Sequence, residues 1–201
     1  MGLIELQYEE GQTPLDEEEK EGLLISSITT KGELDEVEQH NIEDAIRWTI
    51  ERRKKFAIEE ILTEQFIMEL HRRMLSSVWK WAGEFRKTDK NIGVSKYTIS
   101  VELKTLIEDC KYWIANKTYP PDEIAIRFKH RMVSIHCFAN GNGRHSRLMA
   151  DIIIEKVFSE EVFTWGRNNL VKKSAERSAY LSAIREADKG NYEPLIGFAR
   201  S

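Results

Sequence analysis

The sequence predicts a mainly α-helical protein that carries one small β-hairpin. Between residues 91 and 101, apolar and more polar residues alternate, and the polar pair Ser95–Lys96 suits the turn between two short strands. Elsewhere, apolar residues recur at the spacing of a helix face. The segments that show this helical pattern are 34–57, 63–78, 101–116, 121–136, 145–158 and 173–190.

Local sequence features indicate where several of these helices begin and end. Thr63 is a suitable N-cap for the helix that follows it. Gly83 interrupts the loop-like segment WKWAGEFRKTD, which follows that helix. Pro121 suits the first turn of the helix over 121–136, and Gly190 suits the C-terminal cap of the segment that ends there.

The first 22 residues differ in character from the rest of the chain. They are acidic and contain Gly11, Pro14 and Gly22, a composition that favours an extended or loosely ordered arm. We therefore expect an N-terminal arm over residues 1–22 and a single domain over 23–201 that begins with a helical extension.

Composition narrows the class of partner. The formal net charge of −4 gives no overall attraction to nucleic acid or to an anionic membrane. No apolar run is long enough to cross a bilayer, and the acidic N-terminus lacks the basic start of a signal peptide. Cys110 and Cys137 are too few for a disulfide framework, so we expect a cytoplasmic protein that binds neither nucleic acid nor membrane.

The stretch IHCFANGNGRHSR, residues 135–147, combines a histidine, two glycines and arginines between two predicted helices. Glycine permits close backbone approach, and the first N–H groups of a helix favour anions. Arg144 and Arg147 lie on one helix face, where each can fork onto phosphate oxygens, and His136 can act as a general base near neutral pH. Spacing alone leaves two interpretations open: a phosphate-binding active site, or a turn in which His136 caps a helix and Arg147 pairs with Asp151.

Residues 136–144, HCFANGNGR, with Arg147 three positions later, resemble the signature of the Fic family. That signature reads His, Pro, Phe, any residue, Asp or Glu, Gly, Asn, Gly, Arg, and then a second Arg. The likeness extends from about Leu24 to the end of the chain and includes WAGEFR, RFKHRMVSIH and YLSAIREADKGNYEPL. The stretch ITTKGELDEVEQHNI and the HCFANGNGRHSR variant resemble the bacterial subgroup known as mobile mystery protein B, which implies a co-encoded partner.

The resemblance implies a Fic-type helical core that transfers a nucleotide monophosphate, usually AMP from ATP, to a Ser, Thr or Tyr hydroxyl of a target protein. His136 would take the hydroxyl proton, the oxygen would attack the α-phosphorus, and pyrophosphate would leave. The glycine-rich turn would hold the phosphates through backbone and amide donors, and the two arginines would stabilise β- and γ-phosphate charge. The residues implied to bind the phosphates are Gly141, Asn142, Gly143, Arg144 and Arg147.

The predicted hairpin falls where the Fic family carries a flap that positions the target protein. There it would hold the target as an added strand, by main-chain pairing. A hairpin that only covers an edge of the core is the alternative. The residues implied to form the target-positioning flap are Ile92, Gly93, Val94, Tyr97, Thr98 and Ile99.

Asn140 departs from the signature, because the family carries Asp or Glu at that position to bind Mg²⁺. An amide oxygen can ligate Mg²⁺ or Mn²⁺ but brings no charge, so metal affinity should fall. Three interpretations follow: an AMP transferase with weakened metal use, a Fic-fold enzyme that removes AMP or transfers another phosphate-containing group, or a non-enzymatic regulator that binds a nucleotide or a partner. The presence of His136, Arg144 and Arg147 favours chemistry over a purely structural role, and of the three interpretations we prefer the transferase.

Glu33 is a candidate inhibitory residue. The segment Thr29–Glu33 fits the start of the family's inhibitory motif, in which Ser or Thr is followed by three residues and Glu, although Leu34 replaces the final Gly or Asn. The resemblance implies an ion pair between Glu33 and Arg147 that would displace the γ-phosphate. Thr30 to Glu33 also forms the pattern of a capping box at a helix start, and this second interpretation is favoured.

The other histidines, and the basic residues beside the signature, are expected on the solvated surface, with contact to nucleotide as the alternative for the two histidines that flank the signature. They are His40, His71, His130, His145, Lys129 and Arg131.

Overall fold

Helices make up almost all of the regular structure in the computed structural model, which describes residues 16–28, 30–51, 56–166 and 173–201. Two π-helical turns extend the second and seventh helices over Arg47–Glu51 and Ile153–Val157. Across the described ranges, no helix has the length and apolar character needed to cross a bilayer. The α-helices are α1 (Glu17–Lys20), α2 (Lys31–Ile46), α3 (Ile58–Ile61), α4 (Glu64–Leu75), α5 (Ile99–Asn116), α6 (Pro121–Ile135), α7 (Asn142–Ile152), α8 (Lys173–Asp188) and α9 (Glu193–Arg200).

The predicted helix ends are confirmed where their caps are visible. The Thr63 hydroxyl accepts a hydrogen bond from the backbone N–H of Phe66 at 3.1 Å and so satisfies one of the unpaired donors at the start of α4. Pro121 occupies the first turn of α6, where its missing N–H removes no helical bond. Gly190 follows α8 with a φ of +89°, the left-handed conformation that ends many helices.

The connection between α6 and α7 lies at the centre of the core. α6 packs on α7 and on α5, α4 packs on α2 and α7, and α8 packs on α9. Each of these helices buries an apolar stripe at helical spacing. Burial of this stripe away from water fixes the orientation of the helix. Fully buried side chains of these helices and of the connection include Leu70, Leu75, Phe128, Ile135, Phe138 and Met149.

The predicted β-hairpin over residues 91–101 is wrong. Residues 91–98 form bends and turns, and α5 begins at Ile99. Ile99 and Leu103 are buried while Val101 is exposed, so the apolar residues of this region follow the helical period of α5 and not the alternation of a strand. A short segment whose apolar residues fit both the strand period and the helical period cannot be assigned to either structure from its local pattern alone.

The segment 16–22 is also more structured than the extended arm predicted from its composition, while residues 1–15 lie outside the described ranges. Residues 17–20 form α1, whose start is capped by the Glu19 carboxylate accepting from the Asp16 backbone N–H at 2.8 Å. The chain then pairs with residues after α4, because Leu23 and Trp79 form an isolated antiparallel bridge. This bridge holds the N-terminal segment against the loop between α4 and α5.

Candidate nucleotide-binding and catalytic site

His136 ends α6 in an unusual backbone conformation. Its φ is +57°, in the left-handed region, and its backbone N–H donates to the Met132 carbonyl at 3.2 Å. The side chain is only 5% exposed. Burial, with a further contribution from the Arg86 guanidinium, lowers the pKa of His136 from 6.5 to about 4. The imidazole is therefore neutral at neutral pH and can accept a proton.

Asn142 holds the loop that follows His136. Its side-chain Oδ1 accepts from the Phe138 backbone N–H at 2.9 Å, and its Nδ2 donates to the Phe138 carbonyl at 2.7 Å. Both polar atoms of the amide are thus engaged with the loop itself. These bonds show that the Asn142 side chain shapes the turn, and its contact with phosphates stays a prediction.

The two glycines of the turn face different surroundings. Gly141 has a φ of +78°, a conformation that favours glycine, and a Cβ there would come within 2.8 Å of the end of the Leu75 side chain. A Cβ at Gly143 would meet nothing within 4 Å, which leaves the start of α7 open on this side. The first helical bond of α7 runs from the His145 N–H to the Gly141 carbonyl. The N–H groups before it, together with the helix dipole, give this end of the 11-residue helix a positive potential.

Arg144 points from the first turn of α7 toward α2. Its guanidinium pairs with the Glu38 carboxylate at 2.5 Å, and Glu38 is completely buried. The other carboxylate oxygen of Glu38 accepts from the Trp79 indole N–H at 2.7 Å. Sequence reasoning missed Glu38, because it lies 106 residues from its partner and no local pattern marks it.

Arg147, one helical turn further along, lies beside a buried tyrosine of α8. Its guanidinium carbon is 5.8 Å from the centre of the Tyr180 ring. The Tyr180 hydroxyl in turn receives a hydrogen bond from the Lys129 Nζ at 2.5 Å. Lys129 is completely buried, and that burial, followed by the nearby Arg147 charge, holds its pKa well below 10.5. Helices α6, α7 and α8 therefore meet in a cluster of basic and aromatic groups at the phosphate-binding candidates.

Known proteins share the fold of this chain. Residues 61–154 match the family model described as the Fic/DOC family. The fold is similar to that of Fic-1 (residues 134–508) from C. elegans, with a TM-score of 0.65 and 21% identity, covering 90% of this chain and 51% of that one. It is also similar to BepC, a VirB-translocated effector protein from Bartonella tribocorum with bound AMPPNP, with a TM-score of 0.62 and 16% identity, covering 92% of this chain and 97% of that one.

The sequence comparison adds a curated relative. Protein adenylyltransferase Fic from Drosophila grimshawi is 28% identical over 142 residues, which cover 68% of this chain. The aligned part amounts to 28% of the length of that relative. The similarity therefore concerns only part of that longer relative.

The residues predicted to form the flap lie next to the catalytic candidate, although they do not form a hairpin. The Val94 N–H donates to the Ile135 carbonyl at 3.3 Å, and a Cβ added to Gly93 would come within 2.7 Å of the Cβ of His136. Ile92 and Tyr97 are exposed, with 83% of Tyr97 accessible to solvent. Thr98 precedes α5, and Ile99 is buried within it.

Asn140 is poorly arranged to hold a divalent metal. Its side-chain Oδ1 accepts from the Gly141 backbone N–H at 2.7 Å, and its backbone carbonyl accepts from His71 at 3.0 Å. Where the structure describes the chain, no group of three or more His, Cys, Asp or Glu residues could hold a metal ion. Mg²⁺ prefers several oxygen ligands, charged ones above all, so these residues do not fit a magnesium ion held by the domain itself.

The capping interpretation of Glu33 is confirmed. The Thr30 N–H donates to the Glu33 carboxylate at 3.0 Å, and the Glu33 N–H donates to the Thr30 hydroxyl at 3.3 Å. These reciprocal bonds form a capping box at the start of α2. The implied pairing of Glu33 with Arg147 stays a prediction.

Several side chains expected at the surface are buried instead. His71 stacks on Phe138 with ring centres 3.7 Å apart, and its Nδ1 accepts from the Gly83 N–H at 2.9 Å. The His145 Nε2 bonds the Ile67 carbonyl at 2.9 Å. Lys129 contacts Tyr180, as described above. The local sequence does not reveal these burials because the partners are distant in sequence. His130 is also buried, against Asp188. His40 and Arg131 are exposed, as predicted.

Proposed function

We propose that this chain is a protein adenylyltransferase that moves AMP from ATP to a Ser, Thr or Tyr hydroxyl of a target protein. His136 takes the proton from the target hydroxyl, and the oxygen forms a bond to the α-phosphorus. The bond between the α-phosphorus and the bridging oxygen breaks, and pyrophosphate leaves with that electron pair. Backbone N–H groups of the 141–143 turn bind the phosphates, and Arg144 and Arg147 stabilise the charge on the β- and γ-phosphates.

The observation that carries this proposal is the position of a neutral, buried His136 at the end of α6, one short turn away from the open N-terminus of α7. A general base and an anion-binding helix end are the two parts that this reaction requires from the protein. The activity named for the Drosophila relative points to the same chemistry. Residues 91–98, beside His136, are the surface on which a target segment would lie.

The proposal treats the divalent cation as part of the substrate. Mg²⁺ or Mn²⁺ would arrive with the ATP phosphates, and Asn140 would offer at most a neutral oxygen after leaving its bond to the Gly141 N–H. The affinity of the site for the cation then depends on the bound nucleotide. Transfer by this protein should therefore require a higher metal concentration than transfer by a domain with an acidic residue at this position. An Asn140→Asp variant should lower the metal concentration needed for half-maximal rate.

A second candidate function is nucleotide binding without transfer. It is favoured by the neutral Asn140 and by the Glu38 carboxylate that already pairs with Arg144. Removal of AMP, or transfer of another phosphate-containing group, would use the same site. We further propose that the protein belongs to the bacterial mobile mystery protein B subgroup and acts in the cytoplasm beside a co-encoded partner.

Intact-mass spectrometry after incubation with ATP and Mg²⁺ or Mn²⁺ tests the transferase. Wild type, Glu33→Gly and Glu33→Gly/His136→Ala should be compared in parallel. We expect the mass of one AMP group to be added to the first two proteins and not to the third. If all three gain nothing, also with a cell extract as the source of targets, but calorimetry detects ATP binding, the second function is correct.

The same comparison tests whether Glu33 is inhibitory. An ion pair with Arg147 would compete with a γ-phosphate oxygen, since a carboxylate–guanidinium pair is charge-assisted at both partners. Greater AMP incorporation in Glu33→Gly than in wild type would support this role. Equal incorporation would leave Glu33 as the helix cap seen in the structure.

A further inference from the structure

Arg86, the last residue of the WAGEFR segment, lies between the flap residues and the end of α6. Its side chain is completely buried, with none of its surface accessible. A buried guanidinium carries five N–H donors that must be satisfied, because desolvation of an unpaired donor is costly. The partners of Arg86 therefore show which parts of the chain it holds together.

Those partners are mainly backbone carbonyls on both sides of the site. The Arg86 Nε donates to the His136 carbonyl at 2.7 Å. One terminal nitrogen donates to the Val94 carbonyl, and the other donates to the Thr88 carbonyl at 2.8 Å. The Arg86 backbone N–H adds a bond to the Cys137 carbonyl at 3.0 Å. One side chain thus joins the catalytic candidate to Val94 within the flap and to Thr88 just before it.

The backbone around these bonds is constrained at both ends. His136 is held at a φ of +57°, which is unfavourable for a residue with a Cβ and persists only where the surroundings enforce it. On the flap side, Gly93 lies so close that an added Cβ would be 3.1 Å from the Arg86 guanidinium and 2.7 Å from the His136 Cβ. The flap and the end of α6 are therefore packed closely around the Arg86 guanidinium.

We propose that Arg86 is a positioning residue that couples the flap to His136. It fixes the His136 carbonyl and the Val94 carbonyl on one planar guanidinium, so a target segment seated on residues 91–98 is held at a set distance from the base. The inference rests on the proposed function, which assigns the base to His136 and the target surface to the flap. A lysine could supply the charge but not the fork that bridges the two carbonyls.

The charge of Arg86 provides a second, separable effect. Among the groups that act on His136, Arg86 and Lys90 lower its pKa beyond the effect of burial, and a backbone hydrogen bond at Val133 raises it. Lys90 is itself paired with Glu19 and Asp16 on the α1 side. Removal of the Arg86 charge should therefore raise the pKa of His136, whereas burial should still keep it below 6.5.

The test compares Arg86→Gln and Arg86→Lys in the nucleotide-free protein by nuclear magnetic resonance. One readout is amide hydrogen exchange at Val94, whose N–H bonds the Ile135 carbonyl; the other is the titration of the His136 ring. In Arg86→Gln we expect exchange about tenfold faster and a raised His136 pKa. In Arg86→Lys we expect faster exchange with a pKa still near its wild-type value.

Controls separate coupling from general destabilisation. Arg131→Gln removes an exposed arginine of α6 that pairs with Glu102, and it should change neither readout. If Arg86→Gln does not fold, Gly93→Ala tests the coupling from the flap side, since its Cβ would displace the flap from His136; faster Val94 exchange and a shifted His136 resonance are then expected. Unchanged exchange and titration in the folded variants would overturn the proposal. Neither readout requires AMP transfer, so failure of the proposed activity can be distinguished from failure of the coupling by Arg86.

Discussion

Replacement of His71 by phenylalanine should destabilise the domain strongly although the new ring has a similar shape. His71 stacks on Phe138 with the rings inclined by 10°, a contact that phenylalanine can keep. Phenylalanine loses two hydrogen bonds: the Gly83 N–H donates to Nδ1 at 2.9 Å, and Nε2 donates to the Asn140 carbonyl at 3.0 Å. These bonds join the loop after α4 to the turn that carries the signature.

The expected cost follows from the burial of the two abandoned groups. An unsatisfied buried donor or acceptor costs about 1–3 kcal/mol. The bond from Gly83 is buried and the one to Asn140 is partly buried, so the sum should be about 2–4 kcal/mol. With a urea m-value of about 2 kcal/mol/M, the unfolding midpoint should fall by about 1–2 M, followed by tryptophan fluorescence. His40→Phe, at an exposed histidine of α2, should change the free energy of unfolding by less than about 0.5 kcal/mol.

Acid should reduce this difference. Burial, then the nearby His145 and Arg144, hold the pKa of His71 well below 6.5. The unfolded state therefore binds more protons than the folded state once the pH falls below 6.5, and the stability contributed by neutral His71 is lost progressively from there downward. Protonation of Nδ1 would also place a proton against the Gly83 N–H. Two results would refute the reasoning. One is a difference in the free energy of unfolding between wild type and His71→Phe below about 0.5 kcal/mol at pH 7, and the other is a difference that does not shrink between pH 7 and pH 5.

Three further substitutions test individual contacts of the site. Tyr180→Leu removes the ring beside Arg147 and should weaken ATP binding about two- to fivefold while leaving AMP binding unchanged, measured by calorimetry with Tyr180→Phe as the control. Glu38→Gln removes the anionic partner of Arg144 and should tighten ATP binding while lowering the free energy of unfolding by about 1–3 kcal/mol; weaker ATP binding would instead make Glu38 an anchor for the guanidinium. Lys90→Met breaks the ion pairs with the N-terminal segment and should speed tryptic cleavage after Lys20, and an unchanged cleavage rate would contradict that role.

Much of the fold could be predicted because its determinants are local. The helical period marks α4 and α6, Thr63 and Pro121 mark their starts, and the glycines of the 141–143 turn mark the start of α7. The absence of the hairpin could not be predicted from local sequence. Strands require partners, whereas the Val94 backbone pairs with the end of α6 and with the Arg86 side chain, neither of which a local pattern reveals.

The candidate site also has one part that local sequence predicts and one part that it does not. The signature residues are contiguous, so their chemistry can be inferred from sequence. The groups that hold them come from far along the chain: Glu38 lies 106 residues from Arg144, and Tyr180 lies 51 residues from Lys129. Buried polar contacts of this kind depend on how helices pack, and the alternation or period of a single segment carries no information about them.

The low pKa of His136 gives a final prediction about its proposed role as general base. A neutral imidazole can accept a proton, but one with a pKa of about 4 is a weak base. Arg86 and Lys90 contribute to that low value, and an anion nearby would oppose their effect. Phosphates bound at the start of α7 should therefore raise the pKa of His136, so that the base strengthens only in the presence of nucleotide.

This effect can be measured on the His136 ring resonance in the free protein, with AMP and with ATP. Because ATP brings more negative charge than AMP, we expect its complex to show the higher His136 pKa, with the free protein lowest. The Arg147→Ala variant should reduce the gap between ATP and AMP by loosening the terminal phosphates. If saturating ATP leaves the titration of His136 unchanged, the phosphates lie too far from the imidazole, and the assignment of His136 as the base for attack on the α-phosphorus fails.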